Sequence, residues 1–190
     1  MTKESHRNQR HFRTIMEALS FPGKIVPIDV SSQYRGEVFD SSVELLQVLL
    51  DGEVGLCVLE EEGTSFEEIA IRTNCKKASI EDADFLLLPL AHLDQAKDLF
   101  HKVKKGTLIN PHTSASLFIE VEKLQEEKDL LLTGPGIKEK RALSIQPAPF
   151  WLESRNEVVK DFPLGVDVFL IDQESRLVAL PRTTKIKVGE

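Results

Sequence analysis

Two short segments hold residues with the means to grip an anion. In "LLLTGPGIKEK", Leu130 to Lys140, an apolar run ends at Thr133 and Gly134-Pro135-Gly136 follows. A glycine-rich turn after a strand can point several backbone N–H groups into one concavity, which suits a phosphate. In "PRTTKIKV", Arg182, Thr183 and Thr184 follow a proline, and a guanidinium with two hydroxyls can hold a phosphate or phosphonate. Asp167 is the odd carboxylate within the apolar "PLGVDVFLI" and must find partners if buried. It either pairs with Arg182 or binds a ligand.

Each segment also has a plainer reading. The P-loop pattern needs Gly-Lys after four intervening residues, but Glu139 stands at that position after Gly134. The dinucleotide fingerprint fails at the same Glu139, counted from Gly136. Pro135 removes one N–H from the middle of the turn, and the Glu139 carboxylate would repel phosphate. Pro followed by Gly is type II turn chemistry, so a bend between strands is the favoured expectation. Arg182 likewise has the bland reading of a strand-edge arginine paired to a carboxylate, with the threonines present for β propensity.

Other chemistry has little support. None of His6, His11, His92, His101 and His112 pairs at i, i+4 on one predicted helix face, and Cys57 and Cys75 lack C-x-x-C spacing. No metal is expected. Ser114 and His112 lie close in "PHTSAS", but no G-x-S-x-G elbow presents a nucleophile. Lys185 has no setting that marks a Schiff base.

The elements that must position these residues read as an alternation followed by a run of strands. Residues 5–19 form an amphipathic helix through Phe12, Ile15, Met16 and Leu19. Pro22-Gly23 ends it in a type II turn, and Ile25-Val26 begins a strand. "DSSVELLQVLLDG" is a helix with capping-box spacing at Ser41 and Glu44 and a stop at Gly52; "SFEEIAIRTN" repeats the start with Ser65 and Glu68. "VGLCVLE" and "DFLLLPL" are buried strands. "HLDQAKDLFHKVKKG" is an amphipathic helix, and Glu60-Glu61-Glu62 is a solvated loop. Then "ASLFIEV", "DLLLTG" and "RALSIQ" are strands and "PFWLESRNEVVKD" is a helix. "GVDVFLID" and "SRLVALP" are strands bracketing a turn, with "RTTKIKV" prolonging the last. The fold class is α/β, a mixed sheet with helices on both faces, in a single domain over residues 1–190.

Composition narrows the class. A hydrophobic share of 41% supports one packed core, and no apolar run reaches the ~20 residues of a membrane helix. The basic N-terminus lacks the apolar core of a secretory signal, so reduced cysteines and a cytoplasmic protein are expected. A net charge of −7 argues against binding nucleic acid, whose affinity comes from neutralising phosphates.

In order and separation, "FRTIMEALSFPGKIV", "LTGPGI", "FW…N…DFPLGVDVFLI" and "LVALPRTTKIKV" resemble the PhnH family, a subunit of the bacterial carbon–phosphorus lyase system. The stretch from about Tyr34 to Leu99 matches only in length and general pattern. The resemblance implies a fold like that of the pyridoxal-phosphate-dependent transferases, without the cofactor. It implies a core complex of sister subunits that joins a phosphonate to the ribose of ATP, displacing adenine and leaving a ribose 1-phosphonate 5-triphosphate. Within it this chain would be an accessory subunit without catalysis of its own, a homodimer when isolated, and would carry no cofactor. The alternative is a stand-alone phosphate- or nucleotide-binding enzyme. In either case Gly134, Gly136, Asp167, Arg182 and Thr183 are the candidate ligand contacts, and no residue is assigned a catalytic role.

Overall fold

The computed structural model describes residues 3–189. Its backbone is a seven-stranded sheet. From one edge to the other it runs β1 (Val26–Pro27), β9 (Arg176–Leu180), β8 (Asp167–Asp172), β5 (Ser116–Val121), β4 (Phe85–Leu88), β2 (Gly55–Val58) and β3 (Lys76–Lys77). Strands β8, β5, β4, β2 and β3 are mutually parallel, and β9 runs antiparallel to both its neighbours. A second, antiparallel sheet has the order β10 (Lys185–Val188), β6 (Lys123–Thr133), β7 (Arg141–Gln146).

Both faces of the large sheet are covered, which explains the continuous apolar runs of its central strands. Side chains alternate across a strand. Leu87, Phe118 and Phe169 therefore share a cluster with Ile15 and Ala18 of α1 (Lys3–Ser20), Leu45 and Leu46 of α2 (Asp40–Leu49) and Ile69 of α3 (Thr64–Thr73). Leu86, Leu88, Leu117 and Ile119 face the other way. They meet Leu99 and Phe100 of α4 (Ala96–Lys102), Val158 of α5 (Leu152–Val158), and Leu124, Leu143 and Ile186 of the small sheet. The mixed sheet with helices on both faces is as expected. No helix among the described residues is long and apolar enough to cross a membrane.

Several local expectations are corrected. "RTTKIKV" does not prolong β9. The chain turns at Pro181, with Thr184 N donating to Pro181 O at 2.8 Å, and β10 crosses to pair with β6, where Ile186 is buried. The capping boxes do not form, because Ser41 and Ser65 sit two residues beyond the true caps, Phe39 and Gly63. Ser41 Oγ is buried without a hydrogen-bond partner among the described residues, and Glu44 accepts from the Ser31 hydroxyl instead. The α3 amides of Ser65 and Phe66 are held by Glu60, at 2.8 and 2.7 Å, so Glu60 is a cap rather than a solvated loop residue. Helix α2 ends at an extended Leu50, ahead of Gly52. The single amphipathic helix of "HLDQAKDLFHKVKKG" is a 3-10 segment, Leu90–Gln95, that runs into α4.

Candidate functional site

Asp167 opens β8 and Arg182 follows the end of β9. The antiparallel register, Val168 opposite Leu180, sets them side by side. Arg182 Nη2 donates to Asp167 Oδ2 at 2.7 Å and Nε to Oδ1 at 3.3 Å, while the Arg182 amide reaches Oδ1 at 2.8 Å. The remaining guanidinium donors go to Pro111 O at 3.1 Å, Pro163 O at 3.3 Å and Ser114 Oγ at 2.6 Å. Of the two sequence readings of Asp167, the structure holds the pairing with Arg182. The arginine thereby ties two other loops, those of Pro111 and Pro163, to the sheet.

The glycine turn lies against the same corner. Ile137 N donates to Gly134 O at 3.1 Å and Gly136 has φ +81°, so residues 134–137 form the type II turn its Pro-Gly predicts. Each glycine is required by contact. A Cβ on Gly134 would sit 2.9 Å from Thr183 O, and one on Gly136 would run into Ser20 O at the end of α1. Gly134 and Thr183 are thus brought together, while Gly136 packs against a different element.

Beneath the 181–184 turn lies a residue the sequence reading missed. Arg155 of α5 is fully buried and donates Nη2 to Pro181 O at 2.7 Å and Nη1 to Thr184 O at 2.8 Å. Among the described residues it has no carboxylate at ion-pair distance. Burial lowers its pKa to about 10, opposed by the field of Asp167. The signal was spacing: Trp151, Arg155 and Val158 share one apolar helix face, so an arginine among them has to be held by acceptors.

An open cleft of about 620 Å³ runs along this corner. Arg182, Thr183, Lys160 and Lys185 line it together with the apolar Pro135 and Phe162. Asp167, Gly134 and Gly136 are not among the residues that line it.

The cleft lies at the N-terminal end of β8. Open α/β sheets bind ligands at the opposite pole, outside the C-terminal ends of the parallel strands. There the notable residue is Glu120 of β5, fully buried, accepting from Phe39 N at 2.7 Å, Ser42 Oγ at 2.6 Å and Leu90 N at 3.3 Å. Burial pushes its pKa up to about 7 against the pull of those three donors. The sequence carried for Glu120 the same signal as for Asp167, a lone carboxylate in an apolar strand.

The other candidates are dispersed. His92 is 3.5 Å from Glu37 Oε2, and Ser114 is held by Arg182. Cys57 and Cys75 are both free thiols, and no group of three His, Cys, Asp or Glu among the described residues is placed to hold a metal ion.

The family description "Bacterial phosphonate metabolism protein (PhnH)" matches residues 1–187. HtxG of Stutzerimonas stutzeri, provisionally named a C-P lyase subunit protein, is 31% identical over 188 residues, covering 97% of this chain and 88% of its own length. The alpha-D-ribose 1-methylphosphonate 5-triphosphate synthase subunit PhnH of Rhizobium meliloti is 26% identical over 186 residues, covering 94% of this chain and 90% of its own.

Proposed function

This chain belongs to the PhnH family, and on that footing we propose that it is a subunit of a carbon–phosphorus lyase core complex required for phosphonate catabolism. The observation that carries the reading is similarity along almost the whole chain to two proteins named as such subunits. The complex forms a bond from a phosphonate oxygen to C1 of the ATP ribose and breaks the bond from C1 to adenine, which leaves protonated. The product is a ribose 1-phosphonate 5-triphosphate.

Within that assembly this chain is an accessory part, and its partners are the sister subunits. The spent donors of Arg182 support this, because the strongest candidate anion ligand already holds Asp167, Ser114 and two backbone carbonyls. The reading extends to a homodimer in isolation, supported by half-exposed Phe12 and Met16 one turn apart on α1. It extends to a cytoplasmic location and, given a net charge of −7, to no role in binding nucleic acid. The likeness to pyridoxal-phosphate-dependent transferases without the cofactor is part of the same proposal, supported by a mainly parallel seven-stranded sheet with helices on both faces.

Affinity purification of the tagged chain from cells grown on methylphosphonate tests the assembly. Recovery of the sister subunits is the expected result, and repeated absence under gentle conditions would overturn it. Light scattering on the purified chain tests the homodimer.

A second reading is favoured by the cleft itself, where Lys160 and Lys185 stand beside Arg182 and Thr183. In it the chain binds phosphate or nucleotide alone, with Gly134, Gly136, Asp167, Arg182 and Thr183 forming the site. Calorimetry with ATP and alkylphosphonates on the isolated chain decides. Binding that Arg182→Ala abolishes would promote this reading, and no heat would remove it.

A further inference from the structure

A separate pocket of about 280 Å³ opens among α1, the loop after β1, α2 and α3. Its walls carry Arg7 and Arg72 together with Asn8, Ser32, Tyr34 and Gln47, and among the described residues no carboxylate lines it. That is unusual in a chain with 31 acidic residues against 24 lysines and arginines.

The two arginines are held partly from behind the pocket and partly by its own walls. Arg7 Nε lies 3.3 Å from the buried Glu44, and its Nη1 donates to Ser31 Oγ at 3.0 Å and Ser32 Oγ at 3.3 Å. Arg72 is held by Glu68 at 2.8 Å, and its guanidinium lies over the Tyr34 ring, 5.0 Å from the centroid. His11 stands 3.6 Å from Glu44, and Asp40 accepts the Tyr34 amide at 2.8 Å. Glu44, Glu68 and Asp40 hold the frame without entering the lining.

Two donors at the wall remain unspent. Gln47 Nε2 is shielded from solvent and has no partner among the described residues. Ser32 Oγ accepts from Arg7, which leaves its own proton to give. A buried donor without an acceptor is an expensive arrangement that an anion would relieve. Guanidinium groups backed by amide and hydroxyl donors match the oxygens of a phosphorus oxyanion. The volume sits at the small end of ligand pockets, which suits an ion or a terminal phosphate rather than a whole nucleotide.

We propose that the pocket of Arg7, Arg72 and Gln47 is a binding site for a small phosphorus oxyanion, a phosphate or phosphonate group. The site is independent of the assembly reading, except that this reading suggests methylphosphonate as a probe.

The test is a ¹H–¹⁵N titration of the full chain with sodium phosphate, methylphosphonate and ATP in separate arms, with chloride and acetate as controls at matched ionic strength. Phosphate or methylphosphonate should shift the Gln47 side-chain amide and the amides of residues 32–34 saturably, with millimolar or tighter affinity. Arg72→Gln and Gln47→Leu, each verified as folded by its melting temperature, should weaken binding about tenfold or more. Lys160→Gln, in the other cleft, should leave it unchanged. Saturation of the same resonances by ATP alone also supports the site and assigns the anion to a nucleotide phosphate. Absence of saturable shifts in every arm, an equal response to acetate, or unweakened binding in both pocket variants overturns the proposal. Any of these leaves the subunit reading untouched, since that is read by co-purification.

Discussion

Arg182 and Asp167 form a fork-to-fork pair across the junction of β8 and β9, with Nη2 to Oδ2 at 2.7 Å and Nε to Oδ1 at 3.3 Å. The same guanidinium reaches the carbonyls of Pro111 and Pro163, so one carboxylate orients the donor that ties two other loops to the sheet. Asp167→Asn should lower stability by about 1–2 kcal/mol, less than a fully buried pair because both side chains keep some solvent contact. Urea unfolding of the two proteins at neutral pH checks this.

Arg155 should matter more, because its two donors satisfy the carbonyls of Pro181 and Thr184 where water does not reach its side chain. Arg155→Met nearly keeps the volume, strips Thr184 O of its side-chain donor and leaves Pro181 O only the Thr184 amide, so a loss of about 1–3 kcal/mol is expected. Faster amide exchange at Thr184, whose amide closes the 181–184 turn, should accompany it.

Glu120 makes stability depend on pH. Its folded pKa, about 7, stands above the ordinary 4.5 because burial disfavours the carboxylate. The native state therefore holds the extra proton between those values. This contribution is greatest below the unfolded pKa and is lost as pH rises to about 7, a fall of up to about 3 kcal/mol. Glu120→Gln should flatten the profile from pH 4.5 to 7 in denaturant titrations at several pH values.

Two glycines with similar backbones should respond differently to alanine. Gly63 has φ +76° and nothing within 4 Å of an added Cβ, so Gly63→Ala should cost only the left-handed penalty, about 1–2 kcal/mol. Gly136 has φ +81° and packs on Ser20 O, so Gly136→Ala adds a backbone collision and should cost about 3 kcal/mol or more. Thermal melts of both variants provide the comparison.

What the sequence made legible was the local chemistry. The Pro135-Gly136 bend follows from two residues whose backbone preferences admit few alternatives. Asp167 stood out because a carboxylate in an apolar strand has to be answered. Glu120 and Arg155 gave the same kind of signal, one in "ASLFIEV" and one on the Trp151 face of α5, and were passed over. The caps were misplaced because Ser41 and Ser65 satisfy the spacing rule two residues too late: the cap positions are Phe39 and Gly63, neither of which gives a side-chain cap hydrogen bond, and the first amides of α3 are answered by Glu60, outside the pattern. The departure of β10 to a second sheet was hidden because a strand's partner is chosen by tertiary packing. Alternation in "TKIKV" fits either sheet equally well. The Arg7–Arg72 pocket was invisible for the same reason: its walls come from four segments joined only by folding.

The pairing of β1 with β9 also bears on how the chain is made. Val26 and Pro27 have Leu177 and Arg176 as their strand partners, so during translation the first edge strand leaves the ribosome long before its mate exists. Until residues 176–180 are made, the flank of β8 and the part of α1 that packs on β9 stay uncovered. A nascent chain stalled in that interval is the form in which trigger-type chaperones have most to shield.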